Sequence, residues 1–236
     1  FHLGPNTSFD DAAALPLAYI TAVIGLFKRL KLPEPGQEGD RQGAVLVYGG
    51  ATTVGVYAIQ LAKKAGFHVV AVAGASQDVP KEYGADEVID YRNKTSDELI
   101  EAIVSSNGGK GVTYIYDAVT EKGSTEASLG ALVKQGRGGR YTYVLDLKTE
   151  DLAFLPASIH TERTLCATAY GEDADFSEKY FDLVGEWLEK GEFRPQKVTV
   201  IPGGLTGVKE GLRRLQEGEV RGEKLVYRIA ETPGLA

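Results

Sequence analysis

Hydrophobic and polar positions divide the chain into short apolar runs separated by amphipathic stretches. Residues 44–48 (Ala-Val-Leu-Val-Tyr) and 67–73 are continuous apolar runs rich in β-branched residues, the pattern of strands buried on both faces. Residues 87–91, 112–117, 140–145 and 164–169 read as further strands. Between them, 56–66, 78–83, 97–105 and 124–132 carry helical spacing, with Gly66 at a usual helix stop and Thr95 or Ser96 as an N-cap. Two helices precede the first strand. One is opened by Ser8 with Asp11 three residues on, and is stopped or kinked at Pro16. The other is the apolar stretch 17–30. Beyond residue 171 an amphipathic helix, 176–190, turns Phe181, Val184, Trp187 and Leu188 inward. A strand (196–201), a helix (205–216) and a last strand (224–229) follow. Strands that alternate with helices predict an α/β fold built on a doubly wound parallel sheet.

The stretch 44–66 joins strand, turn and helix, and its turn reads Gly49-Gly50-Ala51-Thr52-Thr53-Val54-Gly55. A helix that starts behind such a turn presents free N–H groups and its positive dipole end, so a pyrophosphate can sit there. Gly50 is read as the sharp turn out of the strand. Gly55, with no Cβ, is read as the place where helix and strand pack closely. Thr52 stands where the usual Gly-x-Gly-x-x-Gly pattern has its middle glycine. Thr52 and Thr53 offer hydroxyls to the phosphates, and their bulk pushes the cofactor outward. On this motif alone, a glycine turn in an unrelated α/β domain stands as the alternative.

The end of the second strand narrows the choice. NAD binders place a carboxylate there, about 20 residues past the glycines, to accept a ribose hydroxyl. Here Ala73, Gly74, Ala75 and Ser76 carry no charge. A carboxylate would repel a 2′-phosphate, whereas Gly74 and the Ser76 hydroxyl leave room for one. NADP is therefore the favoured cofactor, with a solvated loop serine as the other reading of Ser76.

Composition excludes several classes. The 236 residues, 43% hydrophobic and 25% charged, suffice for one large core or for one domain plus part of another. Net charge is −7 with no basic patch, so nucleic acid and anionic membrane are poor partners. The apolar runs fall short of the ~18–20 residues of a membrane span, and no signal-peptide pattern opens the chain. The single cysteine, Cys166, has no internal disulfide partner. It is expected as a small buried residue of strand 164–169, which fits a reducing, cytoplasmic setting. His2, His68 and His160 lie far apart and near no cysteine cluster, so no metal is expected. The chain holds no methionine, even at position 1, so the expectation is either that residues precede Phe1 or that the sequence is an artificially bounded piece.

Several motifs in fixed order resemble one family across essentially the whole chain. They are Ala13-Ala14-Leu15-Pro16-Leu17 with Thr21-Ala22, then Val54-Gly55-x-x-Ala58-x-Gln60-Leu61-Ala62-Lys63, then Gly84-Ala85-Asp86-x-Val88-Ile89-Asp90-Tyr91-Arg92. Gly203-Gly204-Leu205 and Gly222-Glu223-Lys224-Leu225-Val226 close the set. The set resembles the medium-chain dehydrogenase/reductase superfamily, in its zinc-independent quinone oxidoreductase-like branch and near the fungal trans-acting enoyl reductases.

The resemblance implies a Rossmann domain plus a C-terminal remnant of a chaperonin-10-like catalytic domain whose main portion is missing. Residues 1–15 would be a connecting segment, 16–171 the dinucleotide-binding domain and 172–236 the C-terminal part of the catalytic domain. It implies that Thr52, Thr53, Val54 and Gly55 line the pyrophosphate and that Thr21 approaches the nicotinamide ribose. Ser76 and Tyr91 would flank the 2′-phosphate, although Gln77 stands where relatives often place a lysine; Tyr91 also reads as a packing aromatic. Ala118-Val119 and Val144-Leu145 would face the nicotinamide. Lys224 would lie near the cofactor phosphates, or be an ordinary surface lysine. No zinc ligand stands in Leu15-Pro16-Leu17-Ala18.

The reaction implied is hydride transfer from NADPH to an activated C=C bond or a quinone. The partners implied are a small enone, enoyl or quinone substrate and a second copy of the chain or a polyketide synthase. No catalytic acid or base is assigned; Tyr170 is a candidate proton donor or a structural residue. The alternative is a catalytically inactive cofactor-binding or protein-interaction remnant. Without the barrel, strands 196–201 and 224–229 are expected to have unpaired edges or rearranged partners, with Phe193, Val198, Val200 and Leu225 losing part of their cover. The tail would then be the labile part.

Overall fold

The structure, a computed structural model, describes residues 3–5, 7–148 and 152–235. Six strands form one fully parallel sheet: β1 Ala44–Tyr48, β2 His68–Ala73, β3 Glu87–Asp90, β4 Tyr114–Asp117, β5 Gly139–Tyr143 and β6 Ile159–Arg163. Their spatial order is β3-β2-β1-β4-β5-β6. That order reverses direction between β1 and β4, where open α/β sheets receive their ligands. β1 sits in the middle with all five residues buried, pairing Val45 with Val69 on one side and with Tyr114 on the other. Its unbroken apolar run is thus the signature of a strand covered on both faces.

Helices cover each face. On one side lie α2 Pro16–Val23, continued by a π-helical turn Ile24–Arg29, and α3 Thr53–Lys64. On the other lie α5 Ser96–Gly109 and α6 Lys122–Gln135, which pack Ile103 and Leu132 on the sheet. The short helices α1 Phe9–Ala13 and α4 Asp78–Glu82 complete this half. Ser8 caps α1, accepting from the Asp11 amide at 3.1 Å. Thr95 caps α5 in a full capping box with Glu98. The regular part of α5 stops before Ser106, whose backbone is extended, and Asn107 and Gly108 turn left-handed. The helix therefore ends where the Asn-Gly-Gly sequence signalled.

Two assignments change. The last strand of the sheet is Ile159–Arg163, not 164–169; Cys166–Tyr170 forms a tight 3-10 turn instead. Thr161 and Arg163 alternate with exposed His160 and Glu162 because β6 is an edge strand with only β5 beside it. Cys166 is accordingly half-buried in the turn rather than buried in a strand.

The tail is docked rather than loose. α7 Ala174–Glu189 places Tyr180, Val184, Trp187 and Leu188 in the same buried cluster as α2 and α3. The Tyr19 hydroxyl donates to the Tyr180 carbonyl at 2.9 Å. Phe193, expected to lose cover, is 2% exposed, its ring packed against Tyr19, Tyr57 and Trp187. β7 Val198–Val200 and β8 Lys224–Val226 pair with each other in parallel, so these strands are short but not unpartnered. The stretch 205–216 is a 3-10 turn, Gly204–Gly207, followed by α8 Val208–Gln216. Packing is therefore continuous across residue 171 and runs on to Phe193.

Candidate functional site

A cleft of about 880 Å³ opens at the carboxyl ends of β1, β2 and β4. Its floor is the turn from β1 into α3. Gly49, not Gly50, makes the sharp turn, at φ +81°, a conformation that favours glycine. The amides of Gly49 and Gly50 both donate to the Val72 carbonyl, at 3.0 and 2.9 Å, which pins the turn to β2. Gly55 lets α3 press on that turn: a Cβ there would lie 2.2 Å from the Gly49 carbonyl oxygen. Thr52 is the N-cap of α3, its hydroxyl accepting from the Gly55 amide at 3.0 Å. The amides of Thr53 and Val54, first in the helix, have no intrahelical acceptor and stay available to an anion.

The second wall is the end of β2 with the turn after β3. Gly74 is buried beneath the Tyr91 ring; a Cβ on Gly74 would be 2.7 Å from the Tyr91 hydroxyl oxygen. Tyr91 stacks on Tyr48 with ring centroids 6.5 Å apart. Beside them Arg92 grips Asp90 through Nε and Nη2, at 3.0 and 2.8 Å. That guanidinium holds the Asp90 carboxyl down at about 2, so it is charged but compensated. Arg221 enters from the loop before β8. Among the described residues it has no carboxylate partner, and its Nε donates only weakly, at 3.3 Å, to the Gly218 carbonyl.

The third wall is the turn after β4. Asp117 is fully buried and accepts four hydrogen bonds. The Val119 and Thr120 amides reach Oδ1 at 3.0 and 2.8 Å, and the Ser124 and Tyr141 hydroxyls reach Oδ2 at 2.7 and 2.9 Å. Burial pushes its carboxyl up despite those donors.

Around this cleft the structure brings together Thr52, Thr53, Gly74, Ser76, Tyr91 and Val119. Gly50, Val54 and Gly55 form the turn and helix start behind them, and Ala118 precedes Val119 on the β4 turn. Val144 is half-buried at the end of β5, while Leu145 is 53% exposed. Thr21 is buried inside α2, its hydroxyl donating to the Leu17 carbonyl at 2.7 Å and its carbonyl accepting from Tyr116 at 2.8 Å. Lys224 lies outside the set that lines the cleft; Arg221, three residues earlier, lines it together with Arg92. Tyr170 is 94% exposed. Among the described residues, which leave out His2, no group of three or more His, Cys, Asp and Glu could hold a metal.

The residues that sequence reading passed over are Arg92, Arg221, Asp117 and Thr120. Arg92 stood in view in the Asp-Tyr-Arg motif. Arg221 stands among the charged residues between 209 and 221, and nothing local marks it.

Comparison with known proteins agrees with this geometry. The model of the zinc-binding dehydrogenase family matches residues 53–186, more than half of the chain. The chain belongs to the medium-chain dehydrogenase/reductase superfamily. The trans-enoyl reductase ACTTS2 of Alternaria alternata is 33% identical over 96% of this chain and 67% of its own length. The enoyl reductase component lovC of lovastatin nonaketide synthase from Aspergillus terreus is 30% identical over 94% and 65%. The fold is shared with mycobacterial Rv1454c, solved with NADPH, at a TM-score of 0.68 and 20% identity over 91% and 63%. Within the superfamily the chain falls with the trans-enoyl reductases, and its fold is shared with a quinone oxidoreductase of Pseudomonas syringae at a TM-score of 0.74 and 21% identity over 96% of this chain and 67% of that one. It spans about two thirds of the length of these relatives.

Proposed function

We propose that the chain is the cofactor-binding part of an NADPH-dependent oxidoreductase that delivers hydride, without zinc, to an activated C=C bond or a quinone. The observation that carries the cofactor choice is the charge pattern of the cleft. The end of β2 is uncharged, and two guanidinium groups flank it, Arg92 paired with Asp90 and Arg221 with no carboxylate partner among the described residues; the carboxylates that line the cleft, Glu121 and Glu223, come from the turn after β4 and the loop before β8. A 2′-phosphate fits that field and a bare ribose gains little from it. The Thr53 and Val54 amides and the α3 dipole would hold the pyrophosphate. Tyr91 and Ser76 would border the adenosine ribose. The cofactor supplies the hydride; this chain's residues bind, orient and exclude water. The proposed organisation keeps two parts, a dinucleotide-binding domain and a C-terminal part of the catalytic domain. The first was expected over 16–171 and the second over 172–236; the packing of α7 and Phe193 on α2 and α3 supports drawing the division after Phe193.

Titration of the 236-residue chain by the fluorescence of bound cofactor tests the reading. NADPH should bind more tightly than NADH. Arg221→Gln should weaken NADPH by about ten- to a hundredfold, as expected for losing a charge-assisted phosphate contact, and leave NADH nearly unchanged. Tighter binding of NADH would defeat the NADP assignment.

The second reading is a cofactor-binding or interaction remnant without turnover. The apolar side chains Leu17 and Leu205, 64% and 50% exposed, favour it by offering surface to a partner, for which a polyketide synthase or a second copy is proposed. NADPH oxidation in the presence of a simple enone or quinone separates the two. Binding without oxidation supports the remnant.

A further inference from the structure

Among the described non-glycine residues with a left-handed backbone, Lys31, Asn93, Asn107 and Thr120, only Thr120 is β-branched. At φ +55° such a side chain is strained, and strain of this kind persists where the surroundings enforce it. The surroundings here are specific. The Thr120 hydroxyl donates to the Asp117 carbonyl at 3.2 Å and accepts from the Val144 amide at 2.9 Å. One hydroxyl thereby ties the carboxyl end of β4 to the residue that follows β5. The Asp117 carboxylate holds the same turn from beneath, through the Thr120 and Val119 amides and the Tyr141 hydroxyl of β5. Val119, next to Thr120, lines the cleft. β4 and β5 belong to the half of the sheet that receives the second mononucleotide of a dinucleotide.

We propose that Thr120 is a positioning residue for the nicotinamide-riboside end of the cofactor, its hydroxyl fixing the spacing between the ends of β4 and β5. The inference rests on the dinucleotide reading above. Thr120→Gly accepts the positive φ, relieves the strain and removes the hydroxyl. Its thermal midpoint should be unchanged or higher, while its Kd for NADPH rises by about three- to tenfold, the size of one hydrogen bond. The Kd for 2′,5′-ADP, which lacks the nicotinamide end, should stay at the wild-type value. Thr120→Ser keeps the hydroxyl and should bind NADPH like wild type. Three results overturn the proposal: Thr120→Gly binding NADPH as wild type does, both ligands weakening alike, or Thr120→Ser weakening as much as Thr120→Gly. Failure of the wild-type chain to bind 2′,5′-ADP would instead overturn the dinucleotide reading, and this inference with it.

Discussion

Phe193→Ala measures whether the tail is bound to the Rossmann half. Phe193 follows α7 and is 2% exposed. Its ring centroid lies 5.5 Å from Tyr19 of α2, 5.6 Å from Tyr57 of α3 and 6.3 Å from Trp187 of α7. Truncation to alanine empties a site walled by three separate helices, which cannot collapse together, so about 3–5 kcal/mol is expected. At about 2–4 °C per kcal/mol for a chain of this size, the thermal midpoint should fall by about 6–20 °C. Phe193→Leu keeps most of the volume and should cost less than about 1.5 kcal/mol. Hydrogen exchange gives the local readout. In the wild type the amides of Gln196, bonded to the Tyr57 hydroxyl at 3.1 Å, and Ile201, bonded to the Val226 carbonyl at 2.9 Å, should be protected. In Phe193→Ala both should exchange faster, whereas Val45 and Val47 of β1 keep their protection. A loss below about 1 kcal/mol, or wild-type Gln196 and Ile201 exchanging at free-chain rates, would refute the docked tail.

Other perturbations address the site and the sheet. Gly55→Ala would put a Cβ 2.2 Å from the Gly49 carbonyl oxygen, a backbone atom that cannot rotate aside. It should cost about 1–3 kcal/mol and weaken NADPH binding; an unchanged urea midpoint and Kd would sink the idea. Gly74→Asp adds a carboxylate that repels a 2′-phosphate and can accept from a ribose hydroxyl, and it displaces the half-exposed Tyr91 ring. The NADH-to-NADPH affinity ratio should rise, and a ratio that does not move counts against the subsite. Asp86 joins β2 to the turn before β3. Burial works against its charge, but the Lys63 ammonium at 2.8 Å, the Val69 amide at 2.7 Å and nearby His68 outweigh it and hold its carboxyl below the usual range. Its contribution is therefore present above the ordinary aspartate pKa and is lost as pH falls through the lowered folded value. Asp86→Asn should lower the urea midpoint at pH 7, with the gap to wild type narrowing in acid; a gap independent of pH would contradict this.

The parts of the fold that sequence reading found share a physical cause. β1 and β2 are covered on both faces, so their sequences are nearly continuous in Val, Leu and Ala, and α3 buries one apolar face at helical spacing; both patterns admit few other placements. Edge elements lack that constraint. β6 carries His160, Thr161, Glu162 and Arg163 because one of its long sides has no strand beside it. The more apolar 164–169 drew the assignment, although Cys166–Tyr170 closes into a 3-10 turn. Adjacent glycines raise a similar ambiguity. Gly49 takes the positive φ, while Gly50 is small because a Cβ there would meet that of Ala71 at 2.8 Å.

The site divides along the same line. Thr52, Thr53 and Gly74 were legible because each lies in or just after a strand whose geometry is local, and local geometry is what spacing encodes, whereas Tyr91 was implied by the family resemblance. Arg221 and Thr120 act through contacts that spacing does not carry. Arg221 reaches the cleft only because β8 pairs with β7, and the segment leading into β7 is held by Tyr57 and Tyr83. Thr120 matters only because Val144, on the neighbouring strand end, offers it an amide at 2.9 Å. The anchoring of the tail was hidden for the same reason. Its strands read as elements of a barrel remnant, and spacing does not show the contacts that also tie the tail to the Rossmann half: tyrosine hydroxyls of that half and the ring of Phe193. Tyr57 and Tyr83 accept the amides of Gln196 and Lys197 at 3.1 and 3.2 Å, so the anchor of the tail is written in α3 and after α4, far from the tail itself.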